Sequence, residues 1–121
     1  MNNRRSFIIG IKSTKLSSKE KIFLKKYKPW GVILFTRNIK NIEQTFKLTS
    51  SIRKIFNDKK YPILIDQEGG RVNRLRNIVS FDNLTSDFFG KIYDEDMRKF
   101  KLYYKLYIDK TSYLLKSIGE N

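Results

Sequence analysis

Histidine, cysteine and alanine are all absent from this 121-residue chain. Without cysteine there is no disulfide and no thiol nucleophile. With histidine missing as well, a structural zinc site is close to excluded. No imidazole is present to activate a Ser or Thr hydroxyl, so no hydrolytic triad can form. No apolar run approaches the roughly 20 residues that span a bilayer. Arg4 and Arg5 are followed by an uncharged stretch too short for a signal-peptide core. A soluble, cytoplasmic chain of at most one domain is the default expectation.

What is abundant is positive charge. Twenty-six Lys and Arg against 12 Asp and Glu give a net charge of +14. Lysine neutralises phosphates and releases counterions, so a basic module that binds RNA or another polyanion is one reading. The composition offers a plainer one. Lys, Ile, Asn, Phe and Tyr share AT-rich codons and supply 58 of the 121 residues, whereas alanine, with GC-rich codons, is missing. The lysines are scattered rather than clustered, which argues against nucleic acid as the partner. The charge still favours loose association with polyanions.

Three short apolar runs punctuate the first half: FIIGI at 7–11, GVILF at 31–35 and ILI at 63–65. GVILF has no polar alternation, as expected of a strand covered on both faces. Ser17 and Glu20 have capping-box spacing, which predicts a helix running to about Tyr27 with Ile22, Phe23 and Tyr27 inward. Pro29 ends it. Asn41 and Gln44 repeat the cap spacing, and Leu48, Ile52, Ile55 and Phe56 follow at helical intervals. A loose stretch is expected from Asp66 to about Tyr93. A last, longest helix then runs from about Asp94, with Met97, Phe100, Tyr104, Tyr107 or Ile108, Thr111, Leu114 or Leu115, and Ile118 on one stripe and Gly119 as its cap. The acids Asp94, Glu95 and Asp96 suit a helix N-terminus. Strand alternating with helix argues for βαβ units and a parallel sheet.

DQEGGRVNRLR, residues 66–76, carries the most chemistry. It follows a buried strand, and ligands of parallel α/β folds gather at the carboxyl ends of strands. Asp66 can accept hydrogen bonds from sugar hydroxyls or an amine. Gly69 and Gly70 permit close backbone approach. Arg71 and Arg74 would share a face on a helical turn. One could reach a ligand while the other pairs with Asp66 or Glu68. The residues alone leave a second reading open, an Asp–Arg pair that staples a tight loop. Magnesium held by Asp66 and Glu68 is disfavoured, since three arginines already neutralise them. Thr36, Arg37 and Asn38 end the second strand and would face the same rim, or serve as a cap and loop. The cluster Tyr103, Tyr104, Tyr107 and Tyr113 could stack on sugars or bases, but at helical spacing it reads first as packing.

Taken together, GVILFTRNIKNIEQ, SIRK and PILIDQEGGRVNRLR resemble the N-terminal part of the glycoside hydrolase family 3 β-N-acetylhexosaminidases. These bacterial enzymes remove N-acetylglucosamine from peptidoglycan fragments during cell-wall recycling. The similarity covers about residues 6 to 120. It implies an α/β fold, a partial (β/α)₈ TIM barrel of which this chain holds the first three or so βα units. It implies that Asp66 and Arg74 bind the sugar; the reading of the residues adds Glu68, Arg71, Arg37 and Asn38 as supporting candidates. In the family, an Asp late in the barrel is the nucleophile and an unusual His the acid/base. Neither segment is matched here, so the isolated chain is expected to bind but not turn over an N-acetylglucosamine-containing muropeptide or similar sugar. No cofactor or metal is expected. Two departures stand out. Leu84 is followed by Thr85 where the family has Leu-Pro, and the last helix carries bulky residues where relatives carry alanine. A partial barrel also leaves strand edges and apolar faces open, which predicts a loosened, poorly soluble state.

Overall fold

The computed structural model describes residues 3–119. Strand β1 (Arg5–Gly10) leads to helix α1 (Ser18–Tyr27), strand β2 (Pro29–Leu34), a 3₁₀ turn at Thr36–Asn38, helix α2 (Ile42–Phe56) and strand β3 (Ile63–Ile65). After a long loop come α3 (Ser86–Glu95) and α4 (Met97–Ser117). The three strands pair in parallel in the order β1-β2-β3, with Ile9 opposite Val32 and Ile33 opposite Leu64. This is the expected mixed α/β architecture.

Local chemistry sets the element ends. Ser17 caps α1 with both halves of the capping box formed, its hydroxyl accepting from the Glu20 amide and the Glu20 carboxylate accepting from the Ser17 amide. Lys28 closes α1 in the left-handed conformation, immediately before Pro29 opens β2. Asn41 caps α2 by accepting from the Gln44 amide at 2.8 Å. Gln44 does not complete the box on Asn41. Its Nε2 donates to the carbonyls of Thr14 and Asn38, tying α2 to the two loops before it.

Two apolar clusters hold the chain. The first joins the sheet to its crossover helices through Leu24, Val32, Leu34, Leu48, Ile52 and Ile63. The second joins Leu75, Phe81, Leu114 and Ile118 to Ile39. Ile65 packs against both. The residue that follows it, Asp66, therefore leaves the sheet from a position fixed on two sides.

Three expectations change. The inner face of α1 is Leu24 alone; Ile22 is 66% exposed, and Phe23 and Tyr27 pair with each other at 4.6 Å on the helix flank. Ile22 and Leu24 are two residues apart, about 200° around the helix, so they cannot share a face. The loose stretch ends about eight residues early, because Ser86–Glu95 is helical. Thr85 caps that helix by accepting from the Phe88 amide. Asp94 and Glu95 consequently close α3, and only Asp96 caps α4, accepting from the amides of Arg98 and Lys99. The inward stripe of α4 is real only toward its C-terminal end: Leu114 and Ile118 are buried, whereas Met97, Tyr104 and Ile108 are at least 40% exposed.

Candidate functional site

The carboxyl ends of all three strands meet around one ring. Phe35 follows β2, and its ring carries the guanidinium of Arg37 at 4.8 Å and that of Arg74 at 5.3 Å. Gly10, the last residue of β1, lies directly beneath. A Cβ there would stand 3.2 Å from Arg37 Nη2 and 3.3 Å from Phe35 Cε2. Asp66 follows β3 and faces Arg74, with Oδ2 3.7 Å from Nη2.

That distance bears on the two readings of the pair. A staple would close to hydrogen-bond contact, within about 3.2 Å. Here the ions attract without bonding, and the Asp66 side chain is 54% exposed. Arg74 Nε is buried and has no hydrogen-bond partner among the described residues. A guanidinium held by an aromatic face beside an exposed carboxylate places donors and acceptors side by side at the strand ends.

The stapling is done by other residues. Gln67 Oε1 accepts from the Arg74 amide at 2.8 Å, and Gln67 Nε2 donates to Asn73 Oδ1 at 3.1 Å. Asn73, fully buried, also accepts from the Leu75 amide and donates through Nδ2 to the Val79 carbonyl. Gly69 and Gly70 turn the chain at φ values of 89° and 54°, and Gly69 forms a bridge with Val72. Glycine is needed for that turn. Space matters too, since a Cβ on Gly69 would meet the Tyr107 hydroxyl of α4 at 2.4 Å.

Of the predicted site residues, Asp66, Arg74 and Arg37 come together. Arg37 is partly committed, its Nε donating to the Ile11 carbonyl at 3.0 Å. Asn38 is not a ligand group. It is fully buried, accepts from the Phe35 amide and donates to the carbonyls of Ile11 and Ser13, so its role is to shape the loop. Arg71 does not share a face with Arg74, because residues 69–72 form a turn rather than a helix; it flanks a shallow hollow with Gly70, Arg76 and Asp82. Glu68 lines a different cleft, against α3 and α4. Sequence reasoning missed Phe35, Gln67 and Asn73. Phe35 read as the end of a strand, and nothing in the residue types marks Gln67 and Asn73 as partners across a turn. Among the described residues no group of three or more carboxylates forms a metal cluster, and no helix is long and apolar enough to cross a membrane.

No family model matches the chain. A beta-hexosaminidase of Alkalilimnicola ehrlichii is 39% identical over 92 residues, which are 74% of this chain and 25% of that protein. The crystal structure of native NagZ from Neisseria gonorrhoeae is similar with a TM-score of 0.62 at 33% identity, over 77% of this chain and 26% of that one. A glycoside hydrolase family 3 beta-N-acetylglucosaminidase from Paenibacillus is similar with a TM-score of 0.54 at 30% identity, over 61% of this chain and 15% of that one. The chain belongs to the glycoside hydrolase family 3 β-N-acetylhexosaminidases. It corresponds to an N-terminal segment of them and spans about a quarter of the length of the curated relative. NagZ has also been crystallised with N-trifluoroacetyl-D-glucosamine, in a structure similar to this chain with a TM-score of 0.61 at 32% identity, over 77% of this chain and 27% of that one.

In this β-N-acetylhexosaminidase segment the bulky side chains of the last helix pack against their neighbours. Tyr107 packs edge-on to Phe81 at 5.2 Å, and Tyr104 edge-on to Phe89 at 5.0 Å. The extra volume becomes an aromatic contact between α4, α3 and the long loop.

Proposed function

We propose that this chain forms the opening βα units of a (β/α)₈ barrel and holds the terminal sugar of a β-linked N-acetylglucosamine substrate through Asp66 and Arg74. The substrate class is a muropeptide released from peptidoglycan, handled in the cytoplasm. The observation that carries the reading is the Asp66–Arg74 pair at the strand ends, 3.7 Å apart with the Asp66 side chain exposed. A pyranose offers adjacent hydroxyls that both donate and accept. Asp66 accepts from one or two of them, Arg74 donates to another, and Phe35 keeps the guanidinium in position.

Retaining hydrolysis needs a nucleophile and an acid/base on either side of the scissile bond. The family resemblance places both outside the motifs matched here, and the chain has no histidine. The 121 residues then bind without turnover. An aryl β-N-acetylglucosaminide incubated with the purified chain should release no product above background.

Titration with N-acetylglucosamine tests the binding claim. Asp66→Ala and Arg74→Gln should each weaken it at least tenfold, as expected for loss of a charge-assisted hydrogen bond worth about 1.5–3 kcal/mol. Affinity should change little between low and moderate salt, whereas a polyanion-binding module would lose affinity steeply. Unchanged binding in both variants would refute the assignment.

A further inference from the structure

Helices α3 and α4 flank a cleft of about 350 Å³ walled by five aromatic rings, Phe89, Tyr93, Phe100, Tyr104 and Tyr107. The rings are set at angles to one another. Phe100 and Tyr104 lie nearly parallel at 5.2 Å, Tyr93 meets Phe100 edge-on at 5.2 Å, and Phe89 meets Tyr104 edge-on at 5.0 Å. Edge-on neighbours turn their faces in different directions, as the walls of a cage do. Tyr93 and Tyr104 stay 51% and 40% exposed. The charge at the cleft is unlike that of the rest of the chain. Lys and Arg supply 26 of the 121 residues, yet among the described residues none of them lines the cleft. Its one charged group is the carboxylate of Glu68, exposed and without an ion pair among the described residues. Tyr107 seats the loop that carries this carboxylate, its hydroxyl lying against Gly69. The arginines of the same loop are placed elsewhere. Arg71 and Arg76 flank the hollow beside Gly70, and Arg74 lies over Phe35.

We infer that this cleft binds a small organic cation, a quaternary ammonium group held by the aromatic faces with Glu68 as its counter-ion. The negative face of an aromatic ring attracts a cation, and rings set at angles surround one from several sides. A quaternary ammonium has no N–H to satisfy, so ring faces and a single carboxylate suffice. A primary ammonium brings three donors and a tight hydration shell, and one carboxylate cannot replace what it would lose. An anionic ligand is disfavoured, because the only charge lining the cleft is negative. The net charge of +14 opposes cation binding only at long range, since salt screens it beyond about 8 Å at physiological ionic strength. The inference stands apart from the sugar reading of Asp66 and Arg74.

Titration of the full chain with choline tests this, followed by the ring-proton shifts of Tyr93 and Tyr104. The comparison ligand is the neutral carbon isostere of choline, in which a tert-butyl group replaces the trimethylammonium. Choline should shift those rings, and the isostere should bind at least about tenfold more weakly, since only the charge distinguishes the two. Tyr93→Leu keeps an apolar side chain but removes a ring face, and should weaken choline severalfold. Glu68→Gln should do the same. Both positions are exposed, so neither variant puts the fold at stake. Gly90 also lines the cleft, and a Cβ built on it would meet nothing within 4 Å. Gly90→Leu should therefore occupy the space and abolish binding, with a melting temperature no lower than that of the parent, because it replaces a mid-helix glycine. Equal binding of the isostere would make the cleft a merely apolar groove and overturn the assignment. Unshifted rings with choline, or choline binding indifferent to Tyr93→Leu and Glu68→Gln, would overturn it as well.

Discussion

Asn73→Ala should loosen the loop that carries Asp66 and Arg74. Asn73 is fully buried and makes three side-chain hydrogen bonds, to Gln67 Nε2 at 3.1 Å, the Leu75 amide at 3.0 Å and the Val79 carbonyl at 2.9 Å. Truncation leaves the Leu75 amide and the Val79 carbonyl without those partners, and Leu75 is itself buried. Each unsatisfied buried group costs about 1–3 kcal/mol. Some relaxation and water entry reduce the sum, so the expected loss is about 2–4 kcal/mol. With a urea dependence of about 1–3 kcal/mol per molar, the unfolding midpoint should fall by about 1–2 M. Far-UV circular dichroism in urea measures it. The control is Asn77→Ala, which removes one bond to the Ile39 carbonyl from an exposed residue. That variant should lose no more than about 1 kcal/mol. The Asn73 variant should also weaken N-acetylglucosamine binding, because Gln67 holds the Arg74 amide and would lose its anchor. A midpoint shift no larger than that of Asn77→Ala would refute the claim that this network sets the loop.

Gly90→Ala should stabilise the chain by up to about 1 kcal/mol, because Gly90 lies inside α3 with open space at its Cβ position; a fall in the urea midpoint would contradict the placement. Tyr61 is fully buried and donates to the Pro29 carbonyl, and burial pushes its phenol from 10.0 up to about 12, the nearby Arg4 cation opposing. The folded value lies above the unfolded one, so the stability this contributes is complete below pH 10.0 and is lost as pH rises toward about 12. Tyr61→Phe should lack that alkaline loss, and a variant that unfolds over the same pH window as the parent would show that another group is responsible. The open edges of β1 and β3, together with exposed Trp30 of β2 and Phe46 of α2, should make the chain bind a hydrophobic dye and self-associate with concentration. A dye-silent monomer at high concentration would contradict this.

The parallel sheet was legible because its signals are local. Continuous apolar runs marked β2 and β3, and Ser17–Glu20 and Asn41–Gln44 marked two helix starts to the residue. Helix α3 escaped because Gly90 interrupts its short apolar pattern of Phe88, Phe89 and Ile92. The inner face of α1 was misread because a ten-residue helix with four lysines and only one buried residue, Leu24, has almost no periodicity to read. At the site, Asp66 and either Arg71 or Arg74 were marked by residue type and position after a strand, and the family resemblance chose Arg74. Their support was not. The bonds of Gln67 and Asn73 cross a turn, and the stacking of Arg74 on Phe35 spans 39 positions in the chain. Such pairings depend on tertiary packing that no local pattern encodes. Glu68 shows the reverse. Its type suggested the same site, and the fold sends it to another cleft.

The central claim is that the strand-end pair holds a sugar. Amide chemical-shift mapping of the 121-residue chain during titration with N-acetylglucosamine tests it directly. Shifts concentrated at Gly10, Phe35, Arg37, Asp66 and Arg74, and abolished in Asp66→Ala, are the predicted result. Shifts confined to the scattered lysines, or none at saturating sugar, would contradict it.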